Sequence, residues 1–232
     1  MAQYFTDFSE YTVDALPSDW TVRYASSSWE VKEVATSPGG KTLRSLESVS
    51  GHQGCSWDAV DADPDRAEVE VVALIEPLTT ATGTLQGAML RGSGATSGTA
   101  DCYSFREAFD LRLDRIRSGS FDLLGWKTKP FAWYDRRVWV RLQMYGTALK
   151  ARHWEDGTNE PADWDIEATD SAFTAPGWVG LINWVQPSFD CHAFGVGTNG
   201  DSAPQELVVA TGPYLRTASG YLRTASGILR PS

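Results

Sequence analysis

Hydrophobic and polar residues alternate with a period of two along much of the chain. The clearest case is 137–145, where Val138, Val140, Leu142 and Met144 share one face and Trp139, Arg141, Gln143 and Tyr145 the other. Further strand-like stretches occupy 20–24, 28–34, 67–75, 84–91, 102–109, 111–117, 121–124, 149–154, 164–169, 178–183 and 191–196. Turn-forming residues separate them: Pro38-Gly39-Gly40, the run from Asp61 to Asp65, Ser118-Gly119, Asp156-Gly157 and Asn199-Gly200. No stretch of ten residues carries a helical period. The pattern predicts an all-β fold, an antiparallel two-sheet jelly-roll sandwich.

The pattern stops near Ser202. We expect one jelly-roll domain over 1–202 and an extended C-terminal arm over 203–232. The arm holds Tyr-Leu-Arg-Thr-Ala-Ser-Gly at 214–220, the same seven residues at 221–227, and a truncated Ile-Leu-Arg-Pro-Ser at 228–232. A coiled-coil heptad is excluded, because the large residues are adjacent and each full copy contains Gly. The anchors Tyr214, Leu215, Tyr221, Leu222, Ile228 and Leu229 would recur every ~23 Å in extended chain. Arg216, Arg223 and Arg230 follow them, each able to pair with a carboxylate. Such an arm docks on a neighbour by strand addition or groove binding. A plain linker is the other reading.

At 232 residues the chain is long enough for one large β-domain core. Ten Trp, eight Tyr and nine Phe would fill and edge it. The formal net charge is −10, which argues against nucleic acid or an anionic membrane as partner. From Pro204 onward three arginines face the single acid Glu206, so the arm is +2 and the remainder −12. The cysteines Cys55, Cys102 and Cys191 have no metal-ligand spacing, and their odd number leaves a free thiol. The first residues lack a signal-peptide pattern, and no apolar run approaches membrane-spanning length. These features together predict synthesis and use in a cytoplasm, or release by lysis.

The stretch from Arg137 to Trp164 includes Leu149-Lys-Ala-Arg-His-Trp154, Gly157 and Glu160-Pro-Ala-Asp-Trp164. Thr169-Asp170 and Gly177-Trp-Val-Gly180 follow. With Phe5-Thr-Asp-Phe8, Leu16-Pro-Ser-Asp-Trp20 and Gly39-Gly-Lys-Thr-Leu43, it resembles the concanavalin A-like (laminin-G-like) jelly-roll domains of bacteriophage virion proteins and bacterial surface proteins. The resemblance covers roughly residues 4–198. It implies a non-enzymatic virion structural protein, a capsid decoration or a tail or fibre component, assembled in a host cytoplasm. Its partners would be other virion proteins, symmetry-related copies of itself, and a host-surface glycan. No cofactor is expected. The fold itself hosts lectins, glycosidases and inert modules alike.

Candidate chemistry is sparse. Trp126, Trp133 and Tyr134 lie in what reads as a connection, where they cap the sandwich edge or form a carbohydrate-stacking patch. Asp163, Asp165 and Glu167 have the period-two spacing that places three carboxylates on one strand face. A glycosidase would use Asp163 as nucleophile and Glu167 as acid; a solvated polar face is the simpler reading. Asp58, Asp61, Asp63 and Asp65 form either turns or a calcium loop. His52, His153 and His192 show no ligand spacing, and Cys191-His192 point to opposite faces of a strand. No metal is expected.

Overall fold

The computed structural model describes residues 2–24, 29–46, 52–61, 68–78, 86–94, 99–133, 136–184, 188–206 and 224–225. Among these there is no α-helix, only a single 3-10 turn at Asp58–Val60. The strands are β1 (Ala2–Thr6), β2 (Trp20–Tyr24), β3 (Trp29–Glu33), β4 (Lys41–Ser45), β5 (His52–Trp57), β6 (Val69–Pro77), β7 (Gly87–Ser93) and β8 (Asp101–Glu107). They continue as β9 (Leu111–Arg117), β10 (Ser120–Lys127), β11 (Val138–Tyr145), β12 (Ala148–Glu155), β13 (Ile166–Thr169), β14 (Trp178–Trp184), β15 (Phe189–Thr198) and β16 (Thr224–Ala225).

Two antiparallel sheets face each other. The larger runs β13-β12-β11-β6-β15-β1-β16, with β4 on β15 and β3 on β4; the smaller runs β10-β9-β8-β7-β14-β5-β2. This is the all-β jelly-roll sandwich that the alternation predicts. Val138, Val140, Leu142 and Met144 point inward to meet Tyr103, Phe105, Leu111 and Leu113 of the smaller sheet in one core. Trp20 stacks on Trp57 with ring centroids 5.9 Å apart, and Phe194 packs edge-on to both.

Besides β16, three strands were not legible in the pattern: β1, β4 and β5. In β5 the sequence His-Gln-Gly-Cys-Ser-Trp is mostly small and polar, yet the strand is paired on both sides, by β14 and β2. Gly54 is required there, since a Cβ would stand 2.4 Å from the ring of Tyr24 on the neighbouring strand.

The larger sheet also buries material on its outer side. Trp139 and Trp154 stack there beside Val72, Leu74, Ala193 and Ala203. Arg141 pairs with Glu70 and Glu160, and the Ala203 backbone N–H donates to Glu70 at 2.9 Å. The described domain therefore continues past Ser202, with 201–206 laid over this face. Further along, Thr224 and Ala225 pair with Gln3 and Ala2 of β1.

Candidate functional site

The β9–β10 hairpin closes through Ser118 and Gly119, both at positive φ (48° and 81°), the geometry of a two-residue turn matched to strand twist. Register then fixes which side chains share a face, because directly paired residues of antiparallel strands point the same way. Trp126 pairs with Arg112, and Arg112 with Arg106 of β8. Leu123 pairs with Asp114 and Asp114 with Ser104; Phe121 pairs with Ile116 and Ile116 with Cys102. These three rows lie on the outer face of the smaller sheet, opposite Leu111, Leu113 and Phe105 of the core.

Leu123 and Trp126 are three residues apart, so a regular strand would send them to opposite faces. A bulge between Leu123 and Gly125 turns both Leu124 and Gly125 inward and returns Trp126 to the outer side. Gly125 makes this possible, since a Cβ there would meet Ile166 Cγ2 at 2.5 Å. The result is a concentration of exposed apolar surface. Trp126 is 60 % exposed, Leu123 49 %, and Phe109, in the adjoining β8–β9 turn, 73 %; they are the exposed large hydrophobic residues among those described.

Behind this apolar rim the face is charged. Arg106 Nε donates to Asp114 Oδ2 at 2.8 Å, and both side chains are almost fully buried. The Arg106 guanidinium lies 4.5 Å from the centre of the Phe121 ring. Burial lowers the Arg106 pKa, against the pull of Asp114; it raises that of Asp114, against Arg106 and Arg112. Arg112 is half-buried and forms no ion pair among the described residues. The Ser104 hydroxyl is buried there, also without a partner among them.

Of the three aromatics predicted to form a sugar patch, Trp126 is exposed to solvent. It sits on strand β10, not in a connection. Trp133 is a correction: it is fully buried, stacked on His153 at 5.7 Å, and unavailable to a ligand. Tyr134 lies outside the described residues. The arm residues Tyr214, Leu215, Arg216, Tyr221, Leu222, Arg223, Ile228, Leu229 and Arg230 also lie outside them.

The carboxylate triplet does not form. Strand β13 begins only at Ile166, so period two fails across 163–167. Asp165 turns to the ring of His153 (2.7 Å) and to Lys127 (2.8 Å), whereas Glu167 is exposed and pairs with Lys150. Asp163 stays exposed in the preceding loop, and Trp164 leaves the core to lie under Arg152, 4.2 Å from its ring centre. Burial works to raise the Asp165 pKa, but hydrogen bonds from His153 and Lys127 prevail and hold it at about 2. A carboxylate locked in this way is a structural pin. The glycosidase arrangement of Asp163 with Glu167 is thereby lost.

In the acidic loop, Asp58 and Asp61 both face Arg23, at 3.2 and 3.7 Å, which supplies the positive charge a cation would bring. Asp63 and Asp65 lie outside the described residues. Cys55, Cys102 and Cys191 are free and buried, and burial raises all three thiol pKa values. His192 contacts Glu76 at 2.8 Å on the side of β15 away from Cys191. The Asp165–His153 pair and the Arg106–Asp114–Arg112 group went unread in the sequence. Arg112 and Asp114 at i and i+2 were the available signal for the second.

No family model matches the chain, and no curated protein matches it by sequence. Solved structures do resemble it. The carbohydrate-binding module CBM66 from Bacillus subtilis superposes with a TM-score of 0.51 at 15 % identity, over 78 % of this chain and 92 % of that one. The exoplasmic/lumenal domain of VIP36, in its Ca2+/Man3GlcNAc-bound form, gives 0.52 at 9 % identity over 80 % and 86 %. A protein of unknown function from Shewanella oneidensis MR-1 gives 0.56 at 10 % identity over 84 % of each chain. At such identities the likeness is one of fold.

Proposed function

We propose that this chain is a non-enzymatic glycan-binding module whose site is the outer face of β8, β9 and β10. One observation carries the reading. The exposed large hydrophobic residues of the described structure fall on neighbouring segments of the smaller sheet, Phe109 in the β8–β9 turn and Leu123 with Trp126 on strand β10. Exposed aromatics beside convergent polar groups are what a sugar needs, a flat apolar platform for its C–H face and fixed donors for its hydroxyls. Trp126 supplies the platform, Leu123 extends it, and Arg112 the donors. The neighbours support the class of ligand, one being a carbohydrate-binding module and another a domain with a bound oligosaccharide.

The test is a glycan array probed with the full chain and with Trp126→Ala. The wild type gives hits, and Trp126→Ala loses at least tenfold in affinity for them at unchanged thermal unfolding. An array without hits, repeated with the chain displayed multivalently, overturns the reading.

The finer version makes this module a virion component held in place by its repeat arm. Its support is the sequence resemblance; Thr224 and Ala225 pair with β1 of the same chain, the strand-addition geometry by which an arm docks on a neighbour. Deleting 207–232 then removes the protein from purified particles while the domain still unfolds cooperatively. Normal incorporation of the truncated chain contradicts it.

A further inference from the structure

The face that holds Trp126 also has an unmatched positive charge. Arg106 and Arg112 stand side by side on adjacent strands with one carboxylate, Asp114, between them, and Asp114 is taken by Arg106. Most described arginines are paired, although exposed Arg117 also forms no ion pair among the described residues. The chain carries −10 overall, and Arg23, Arg44, Arg106, Arg115, Arg136, Arg137, Arg141 and Arg152 each pair with an Asp or Glu. Arg112 is half-buried and within electrostatic reach of Asp114, yet forms no ion pair among the described residues, and its Nε is buried without an acceptor there. A buried donor left unpaired is costly, and an acceptor brought by a ligand would relieve it.

Position decides what that ligand looks like. Arg112 is the direct cross-strand partner of Trp126, which places their Cβ atoms about 5 Å apart on one face. A pyranose stacked on Trp126 thus presents its ring substituents to the guanidinium next door. The fork of an arginine matches a carboxylate with two parallel hydrogen bonds. Resting on the glycan reading above, we propose that the sugar bound on this face is a uronic acid, with Arg112 recognising its carboxylate while Trp126 carries its ring. Arg106 is held back by Asp114 and Phe121 and keeps the local field positive.

The probes are tetrasaccharides of galacturonate, mannuronate and guluronate, each with its methyl ester, titrated calorimetrically into the full chain. At least one acid binds at least tenfold tighter than its ester, which keeps the sugar and removes the charge, and added salt narrows the gap. Arg112→Gln abolishes the preference, bringing acid affinity down to that of the ester, whereas Arg112→Lys keeps part of it. Trp126→Ala weakens acid and ester alike. Equal binding of acid and ester, or an acid preference that survives Arg112→Gln, overturns the inference and leaves glycan binding standing. Failure of every probe to bind also overturns it, and neutral hits on the array then decide the broader reading separately.

Discussion

Trp126 and Trp133 are seven residues apart and have opposite roles. Trp126 is presented to solvent on the edge strand of the smaller sheet, whereas Trp133 is sealed against His153 in the core. Trp133→Ala should destabilise the chain by about 3–5 kcal/mol, the cost of a large aromatic cavity, read as a lowered denaturation midpoint. Trp126→Ala should leave that midpoint unchanged. Asp165 carries a third expectation. Its carboxyl titrates lower in the folded chain (about 2) than in the unfolded one, so its contribution is complete above about pH 4 and is lost as pH falls toward 2. Thermal unfolding between pH 5 and 2 should therefore show an acid loss of about 2 kcal/mol in the wild type. The loss should be reduced in Asp165→Asn.

Strand β11 was legible because Val138, Val140, Leu142 and Met144 alternate strictly, and β9 and β14 because short apolar-rich stretches are set off by turn residues. Strand β10 was read only as far as Leu124, for a physical reason. The bulge places two consecutive residues on the inner face, so Trp126 falls out of phase and looks like the start of a loop. The site was therefore half visible, with Trp126 found and its neighbours missed, since Arg112 and Asp114 gain meaning only through the register with β8 and β10. The same bulge makes Gly125 a sensitive position. Gly125→Val would drive a side chain into Ile166 of β13 and lift the edge strand, with a loss of about 1–3 kcal/mol in denaturant unfolding. Glycan affinity should fall with it, because Trp126 moves as β10 moves.

Across the whole molecule, the sandwich separates its tasks by face. The core between the sheets supplies stability. The outer side of the larger sheet is closed by stacked Trp139 and Trp154 and by 201–206, anchored through Arg141 and Glu70. The outer side of the smaller sheet keeps its apolar rim open at β9 and β10. Beside that rim the half-buried Arg112 forms no ion pair among the described residues, in a chain whose net charge is −10. The most direct measurement is an amide chemical-shift map of the full chain during titration with an array-selected oligosaccharide. The shifts should cluster on β8, β9 and β10 around Arg112 and Trp126 and vanish in Trp126→Ala. Shifts centred on any other part of the chain, or shifts that persist in Trp126→Ala, would contradict the assignment of the site to this face.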